Sequence, residues 1–253
     1  MTKRYGLRDD QWERIKDILP GREGTVGATA KDNRLFVEAV LYRYRAGIPW
    51  RNLPQWFGDF RVIHTRFSRW SKKGIWEKVF KVSRYDADNE YAMIDATIVR
   101  AHQHSAGAKD SNAQQEDIGR GVGFLLTKIH AVVDALGNPT QFFLTPGPAS
   151  DLQGADVLLP QIQADAVLAD KAYDAFERVI LPLTQRGIDV VIPSKTNRLE
   201  PRCYDKALYQ ARHLVENFFA KLKQFRAIAT RYDKRSFNFL GGIYLAASVI
   251  LLA

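Results

Sequence analysis

The order of strand-like and helix-like segments beyond residue 85 is the feature that most constrains the fold of this chain. YAMIDATIVRAH is a β-rich run, TKIHAVVDA alternates like a strand, and the turn sequence LGNP joins the latter to TQFFLTPG in a predicted hairpin. The chain then alternates helix and strand in DLQGADVLLPQI, AVLAD, ERVILPLTQRG and DVVIPSK, and a long helix follows. Three antiparallel strands followed by alternating units predict a mixed sheet with helices on its faces.

Three carboxylates fall at positions of this predicted sheet where they can meet. The element order is that of the ribonuclease-H-like fold, with Asp95 on the first strand, Asp170 at the end of the fourth and Glu216 on a helix packed beside them. Mg²⁺ prefers carboxylate oxygens and keeps water or substrate phosphates as its other ligands. Two such ions about 4 Å apart can activate the attacking oxygen and stabilise the leaving oxygen of a phosphodiester. We therefore predict a metal site in which Asp95 bridges two ions, while Asp170 and Glu216 each complete one side.

The helix that carries Glu216 is predicted to run from Asp205 to Ala227, a stretch without Pro or Gly. At about 100° per residue its apolar residues form one broad face: Leu208, Ala211, Leu214, Val215, Phe218, Leu222 and Phe225. Within an arc of roughly 60° on the other side lie Tyr209, Arg212, Glu216 and Lys223. Charges opposite an apolar stripe are usually a solvated face, so the helix by itself leaves that alternative open. Together with the two distant aspartates, the stripe favours a metal ion held beside a phosphate.

The other acids and the paired histidines have simpler structural uses. We assign Asp134 to a turn, Asp151 to a helix cap and Asp174 to a helix start. His102 and His104 form an H-x-H pattern without an obvious third partner. Because a zinc site needs at least three protein ligands, we predict that the two histidines are loop residues.

The first 84 residues predict an all-helical module of the helix-turn-helix type. Asp32 is predicted to cap a helix that ends at Gly47, and RVIHTRFSRWSKKG and IWEKVFKV supply two more helices. In the first of these two, Val62, Phe67 and Trp70 are predicted to face inward, and the basic residues to face outward: Arg61, Arg66, Arg69, Lys72 and Lys73. Helix, turn and basic helix is the order of a DNA-reading helix-turn-helix, although basic surface helices are also common without that role.

Composition favours a soluble protein with a nucleic-acid partner. The 253 residues carry 26% charged side chains and a net charge of +9, which points toward a polyanion. Cys203 is the only cysteine, which excludes disulfide frameworks and cysteine-rich zinc sites. MTKRYGLRDD lacks the apolar run of a secretory signal, and FNFLGGIYLAASVILLA is short and contains Asn and Gly-Gly. We therefore expect a cytoplasmic protein with a buried C-terminal helix and no membrane partner.

Three segments around the candidate acids carry a family pattern. They are MIDATIVRAHQH around Asp95, LADKAYD around Asp170 and HLVENFFAKLKQFRAIATRYDK around Glu216. The last helix also has the spacing Tyr, two residues, Arg, three residues, Glu, six residues, Lys, at Tyr209, Arg212, Glu216 and Lys223. With WERIKDILPG and GIPWRNLPQWFGDF nearer the N-terminus, these motifs resemble bacterial insertion-sequence transposases of the DDE class over nearly the whole chain. The resemblance is to the insertion-sequence-5 group of the insertion-sequence-4 superfamily.

This resemblance implies a helical DNA-end-binding domain in residues 1–84 and a ribonuclease-H-like DDE catalytic domain in residues 85–253. Asp95, Asp170 and Glu216 would be the catalytic residues and the ligands of two Mg²⁺ or Mn²⁺ ions. Arg212 and Lys223 would contact DNA phosphates near the cleaved end, and Tyr209 would pack on that backbone or hydrogen-bond to it. Members of the family nick the element ends with water, and the freed 3′-hydroxyl then attacks target DNA. The implied partner is double-stranded DNA, both terminal inverted repeats and target, and the implied assembly is a homodimer.

Two departures from the family pattern bear on these expectations. The run IGRGVGFLLTKIH stands where the family carries a sequence close to IGRSRGGLTTKIH, so Phe124 and Leu125 replace smaller or polar residues. Only about a dozen residues separate the strand DVVIPSK from the Glu216 helix, too few for the large β-rich insertion of some superfamily members. Two alternative functions stay open: a catalytically inactive DNA-binding protein of the same fold, and a metal-dependent DNA nuclease without strand transfer.

Overall fold

Strand β1 (Tyr91–Ala101) lies in the middle of the sheet, in a computed structural model that describes residues 5–22, 24, 29–84 and 88–253. The strands that join it are β2 (Gly119–Arg120), β3 (Leu125–Val133), β4 (Pro139–Pro146), β5 (Ala166–Leu168) and β6 (Asp189–Val191). On one side β1 pairs antiparallel with β3, from Met93 opposite Val133 to Ala101 opposite Leu125. On the other side its first residues pair in parallel with β5.

The strand order confirms the predicted ribonuclease-H-like mixed sheet. β4 and the short β2 both pair antiparallel with the edge of β3 that faces away from β1, and β6 pairs in parallel with β5. The order is therefore β4, β3, β1, β5, β6. Because successive residues of a strand point to opposite faces, Asp95 shares its face with Ala131 across the ladder, whereas Ala96 and His130 point to the other face.

Helices cover the face of the sheet opposite Asp95 and bury a continuous apolar core. The helix α5 (Asp151–Leu158) follows β4, and α6 (Leu181–Gln185) follows β5 after a π-helical turn at Phe176–Ile180. The core joins both helices to the strands through Ile94, Val132, Ala155, Leu158, Val167, Val179 and Leu183. We predicted Asp151 as the cap of this helix, but the cap is Ser150, whose hydroxyl accepts the Leu152 N–H. Asp151 is the first residue of α5.

The helix that carries Glu216 is shorter than predicted. The segment 205–227 contains α7 (Lys206–Tyr209), a 3₁₀ turn at Gln210–Arg212, α8 (His213–Lys223) and the beginning of α9 (Arg226–Ala229). Asp205 caps the start by accepting the N–H groups of Ala207 and Leu208. The end comes at Lys223 because the next two N–H groups bond three residues back, which tightens the last turn, and Phe225 turns to an extended backbone.

The N-terminal helices pack into a unit of their own with two later segments. The helices of this unit include α1 (Asp9–Ile15), α2 (Asn33–Ala46), α3 (Phe60–Lys72), α4 (Ile75–Ser83) and α10 (Ser236–Leu251). A short strand, β7 (Thr230–Arg231), also belongs to it. By packing, this unit contains residues up to 84, His102–Asp110 and Lys221–Ala253, while residues 88–101 and 111–220 form the second unit. The C-terminal residues thus group with the N-terminal helices, which the predicted division at residue 84 does not include.

The ends of α2 follow the predicted capping residues. The Asp32 carboxylate accepts the Leu35 N–H at 2.8 Å, and Gly47 ends the helix with φ = 70°, in the left-handed region that favours glycine. A Cβ on Gly47 would also stand 2.7 Å from the Cβ of Arg226 in α9. This close approach fixes where α2 and α9 cross.

The inward face of α3 differs from the prediction by one position at its first turn. Ile63, Phe67 and Trp70 are buried, whereas Val62 is 66% exposed. Positions 63, 67 and 70 follow the i, i+4, i+7 pattern of one helix face, and Val62 lies about 100° away from Ile63. The prediction placed the wrong one of two adjacent β-branched residues in the core.

The C-terminal helix α10 is buried, as predicted, and it packs against α3 and α4. Phe239, Ile243 and Ala247 are fully buried, and a Cβ on Gly242 would stand 2.1 Å from the Tyr44 ring of α2. Among the residues that the structure describes, no helix is both long and apolar enough to cross a membrane.

Candidate active site

Asp95 lies at the middle of β1 with both carboxylate oxygens in use. Oδ1 accepts the Ala96 N–H at 2.8 Å, and Oδ2 accepts a guanidinium N–H of Arg212 at 2.8 Å. Burial raises the pKa of the Asp95 carboxyl above its ordinary value, the positive charge of Arg212 works against that rise, and the negative charge of Asp170 adds to it. Asp95 is thus a partly buried acid whose charge is balanced by one arginine.

Arg212 links the strand to the Glu216 helix. Its Nη2 donates to Asp95 and, at 3.3 Å, to Oε1 of Glu216, while Nη1 donates to the Tyr209 hydroxyl at 3.3 Å. Its side chain is only 15% exposed. Burial lowers the pKa of Arg212, but the hydrogen bond with Tyr209 and the charge of Asp95 outweigh it, so the net pKa is raised and the guanidinium stays charged. Two other members of the predicted stripe, Tyr209 and Glu216, therefore contact the Arg212 guanidinium.

Asp170 follows β5 and is the residue before a 3₁₀ turn at Lys171–Tyr173, whose Ala172 N–H it accepts at 2.8 Å. The Tyr173 hydroxyl reports on its surroundings, because burial, together with the negative charges of Asp151, Asp95 and Asp170, raises the pKa of that phenol. Two of the three predicted acids thus act on the same buried hydroxyl. Glu216 is joined to them through Arg212, and its side chain is 62% exposed.

The donor chemistry of these residues suits a hard divalent cation, since all the candidate ligands are carboxylate oxygens. Within the described residues, however, no group of three or more His, Cys, Asp or Glu side chains is arranged to hold a metal. Asp95 and Glu216 are instead bridged by the Arg212 guanidinium, which pairs with both carboxylates. His102 has another use, because its ring stacks on Tyr232 and its Nδ1 accepts the His104 N–H.

The two remaining members of the helix signature lie at opposite ends of the stripe. Tyr209 ends α7, and its ring makes an edge contact with Tyr204 at 5.5 Å between centroids. Lys223 is the last residue of α8, about two turns beyond Glu216 and on the same side of the helix. Burial lowers the pKa of the Lys223 ammonium below its ordinary value.

The sequence did not reveal the role of Asp174, which we predicted to start a helix. Its buried carboxylate accepts the Lys195 N–H at 2.8 Å and hydrogen bonds from the guanidinium groups of Arg198 and Arg202. It thereby fixes the loop after β6 beside the turn that follows Asp170. No sequence signal pointed to this contact, because Arg198 and Arg202 have acids closer to them in the chain, at Glu200 and Asp205.

The unusual residues after Gly123 pack at the ends of β1 and β3. The Phe124 ring lies under the guanidinium of Arg100, 3.8 Å from the ring centroid, and is 52% exposed. Leu125 begins β3 opposite Ala101. An aromatic ring at position 124 makes a cation–π contact that the smaller residue of the family pattern would not make.

The basic side chains of α3 form a surface of uneven character. Arg69, Lys72 and Lys73 are exposed, and Arg61 is exposed but paired with Asp59 at 2.9 Å. Arg66 was predicted to face outward, but its side chain packs against neighbouring residues of the unit. Its guanidinium contacts the Asn33 amide oxygen and lies over the rings of Phe36 and Trp70, at 4.2 and 4.6 Å from their centroids.

A cavity of about 660 Å³ runs along this helix within the N-terminal unit. Four of the five predicted basic residues line it: Arg61, Arg66, Arg69 and Lys73. The cavity wall is completed by Pro20, Thr29 and Ile75, among others. A recess lined by four cations is suited to a polyanion.

The mixed sheet, with one acid at the centre of β1 and another just after β5, defines a ribonuclease-H-like protein. Comparison with known families is consistent with this class. Residues 88–251 match the family "Transposase DDE domain", and residues 7–80 match "Putative transposase of IS4/5 family". The chain therefore belongs to the DDE transposases, in the IS4/5 group of bacterial insertion sequences, which confirms the resemblance seen in the sequence.

Individual proteins are similar to parts of this chain. "Putative transposase for insertion sequence element IS6501" of Brucella ovis is 37% identical over 129 residues, which are 51% of this chain and 99% of that protein. "Uncharacterized protein y4sN" of Sinorhizobium fredii is 49% identical over 106 residues, 41% of this chain and 83% of that protein. A piggyBac transposase synaptic complex with hairpin DNA aligns over 98% of this chain and 73% of that chain, with a TM-score of 0.52 and 12% identity. At that identity the last likeness supports the fold alone.

Proposed function

We propose that this protein is a DNA transposase that cleaves the ends of its insertion sequence and joins the freed 3′-hydroxyl to target DNA. The observation that carries the proposal is the guanidinium of Arg212, which holds Asp95 of the central strand and Glu216 of α8 within 2.8 and 3.3 Å. The charge of Asp170 acts on the same strand acid. Asp95, Asp170 and Glu216 come from three separate elements, and their carboxylates would hold the divalent cations that assist phosphoryl transfer on a polyanion.

Asp95, Asp170 and Glu216 would hold two divalent cations, Mg²⁺ or Mn²⁺. Such ions supply Lewis-acid activation of the attacking oxygen and stabilise the leaving oxygen of the phosphodiester. For Asp95 and Glu216 to serve as ligands, the Arg212 guanidinium has to leave one or both carboxylates. The released guanidinium then lies beside the reacting strand, where its planar donors match a phosphate.

The other residues of the stripe would bind the DNA strand along the helix. Tyr209 carries a hydroxyl that already meets Arg212 and can donate to a phosphate oxygen. Lys223, about two turns past Glu216, adds a second cation for the same backbone. These contacts position the phosphodiester and carry no sequence information.

Recognition of the element ends is assigned to α3 and its neighbours. The side chains of Arg61, Arg66, Arg69, Lys72 and Lys73 would contact phosphates, and the cavity along the helix supports this role because four of these residues line it. Arg66 is held by aromatic rings and Asn33, so we assign it to positioning of the helix as much as to DNA. Double-stranded DNA with two element ends is the proposed partner, and a homodimer is the proposed assembly.

The proposed chemistry is tested by Glu216→Gln with DNA that carries the terminal inverted repeats and Mg²⁺. The variant keeps the size of the side chain and removes a ligand charge, so strand cleavage should fall by about a hundredfold or more. Glu177→Gln is the matched control, because Glu177 is an exposed acid on the π-helical turn of the same unit and should leave cleavage unchanged. Equal cleavage by Glu216→Gln and wild type would refute the assignment of Glu216.

Two further outcomes separate the alternatives. Tight binding of the element ends by the wild type, with no cleavage in Mg²⁺ or Mn²⁺, would identify an inactive DNA-binding protein. Cleavage without joining of precut ends to a target plasmid would identify a nuclease. Joined products from precut ends support the transposase, because that step needs only the 3′-hydroxyl and the target phosphodiester.

A further inference from the structure

A second recess lies beside Asp170, on the surface of the unit that holds the sheet. It encloses about 330 Å³ and is lined by Asp170, Lys171, Ala172, Lys195, Thr196 and Asn197. One wall is the 3₁₀ turn that follows β5, and the other is the turn that follows β6. The volume is at the lower end of the range for small ligands, about 300–1,000 Å³, so the recess is too small for a base pair.

The polar groups of this recess are donors in excess. Lys171 and Lys195 carry two positive charges, Thr196 a hydroxyl and Asn197 an amide, against the single carboxylate of Asp170. In the part of the chain that the structure describes, neither lysine has an ion-pair partner. An excess of donors around one carboxylate suits an anion with several acceptor oxygens, bound toward the lysines.

Contacts with the buried Asp174 hold the wall formed by residues 195–197 in place. The buried Asp174 carboxylate accepts the Lys195 N–H at 2.8 Å, and it binds the guanidinium groups of Arg198 and Arg202 on the far side of the turn. The turn itself is closed by the Arg198 N–H, which donates to the Lys195 carbonyl at 3.0 Å. The two arginines of this loop are thus used in the fold, and the Lys195 side chain is left for the recess.

We propose that this recess binds a backbone phosphate of the DNA strand within a few nucleotides of the reacting phosphodiester. Lys171 and Lys195 bind the phosphate oxygens from either side, and Thr196 and Asn197 donate from the rim. This proposal rests on the proposed function, because the phosphate would belong to the DNA strand that is cleaved beside Asp170. Its role is to fix the position of the strand, not to take part in bond breaking.

Single-phosphate neutralisation tests this site. A labelled duplex of the terminal inverted repeat is prepared with one methylphosphonate at a time across the cleavage position, and affinity is measured by fluorescence anisotropy in EDTA. Wild type should lose about five- to tenfold in affinity at one or two positions, as expected for a charge-assisted contact. K171A/K195A should bind unmodified DNA more weakly by a similar factor. A methylphosphonate at the sensitive positions should then cause no further loss of affinity, and the slope of log affinity against log salt should be smaller by about one to two.

Two further variants make the result specific. Thr196→Val keeps both charges and removes one donor, so it should weaken binding about two- to threefold and reduce the effect at the same positions. Lys206→Ala removes an exposed cation of α7 in the same unit and should keep the full wild-type pattern. The side chains of Lys171, Thr196 and Lys206 are exposed, so circular dichroism should report an unchanged fold.

The proposal is overturned if wild type has no sensitive phosphate, or if K171A/K195A keeps the same sensitive positions as Lys206→Ala. Its failure is distinct from failure of the proposed chemistry. A wild type that binds with the expected pattern but never cleaves in Mg²⁺ refutes the chemistry and leaves the recess assigned. A wild type that cleaves while K171A/K195A is indistinguishable from Lys206→Ala refutes the recess alone.

Discussion

Asp174 offers the sharpest test of how this fold supports its candidate site, and the change is Asp174→Asn. The wild-type carboxylate is completely buried and accepts four hydrogen bonds, one from the Lys195 N–H at 2.8 Å, two from Arg198 at 3.0 and 3.1 Å, and one from Arg202. An asparagine keeps the volume but offers one acceptor oxygen. It also turns an amide N–H₂ toward donors that have no lone pair to receive it.

The expected loss of stability can be estimated from these contacts. Removing one partner of a buried ion pair costs about 3–5 kcal/mol. The guanidinium groups here are not fully buried, at 34% and 28% exposure, and can recover some hydration when the carboxylate is lost. We therefore expect Asp174→Asn to lower the free energy of unfolding by about 2–3 kcal/mol at pH 7.

The pH dependence follows from the same contacts. Burial by itself raises the pKa of Asp174, but hydrogen bonds from Arg198 and Arg202 and from the Lys195 N–H outweigh it, and the net pKa is well below the ordinary value. A depressed carboxyl pKa contributes stability above the unfolded value, near pH 4, and loses it as the pH falls toward the folded value. The difference between wild type and Asp174→Asn should therefore shrink by about 1 kcal/mol between pH 6 and pH 3.

Urea unfolding followed by circular dichroism at several pH values measures this difference. Asp156→Asn is the matched control, since its ion pair with Arg178 lies on the surface, with both side chains 47% exposed, and should contribute less than about 1 kcal/mol. Amide exchange should also quicken in residues 195–202 of Asp174→Asn only. A loss below about 0.5 kcal/mol, or one that is the same at pH 3 as at pH 6, would show that the Asp174 carboxylate does not hold this loop as a buried counter-charge.

Two further changes test packing elsewhere in the molecule. Asp233→Asn should lower the free energy of unfolding by about 3–5 kcal/mol in chemical denaturation. The reason is that Arg43, which is 2% exposed and lies 3.0 Å from Asp233, would lose its counter-charge. Asp59→Asn, which removes the acid of a surface ion pair, should change the free energy of unfolding by less than about 1 kcal/mol. Gly154→Ala should lower Tm and cost about 1–3 kcal/mol, because its Cβ would stand 2.2 Å from Nδ1 of the buried His130 ring.

The sheet and its flanking helices could be predicted because their signals are local. β1, β3 and β4 are each rich in apolar and β-branched residues, and LGNP marks the turn between the last two. Asp32 and Gly47 bound a helix by their own backbone chemistry, whatever it packs against. Such features are contained in a window of a few residues, so a single sequence suffices to place them.

The partners of individual side chains could not be predicted in the same way. Asp174 meets Arg198 and Arg202 only because the chain returns through β6. Arg66 is drawn onto Phe36 by packing between helices, and no periodicity along α3 records that contact. The 3₁₀ turn that interrupts the Glu216 helix is likewise a tertiary effect, since the segment contains neither Pro nor Gly.

Arg212 explains why the charged side of this helix is more than a solvated face. A solvated arginine has no need of a fixed partner, whereas this one is 15% exposed and bound to Asp95, which is 117 positions away in sequence. Burial raises the pKa of the Asp95 carboxyl, which disfavours its ionised form, and the charge of Arg212 opposes that effect. In the proposed reaction Asp95 and Glu216 would hold divalent cations, whose positive charge would replace that of Arg212, and the Arg212 guanidinium would then be available to the phosphate. Because Tyr209, Arg212 and Glu216 share one side of the helix, a guanidinium released from the carboxylates would stay beside the other residues proposed to bind the DNA strand.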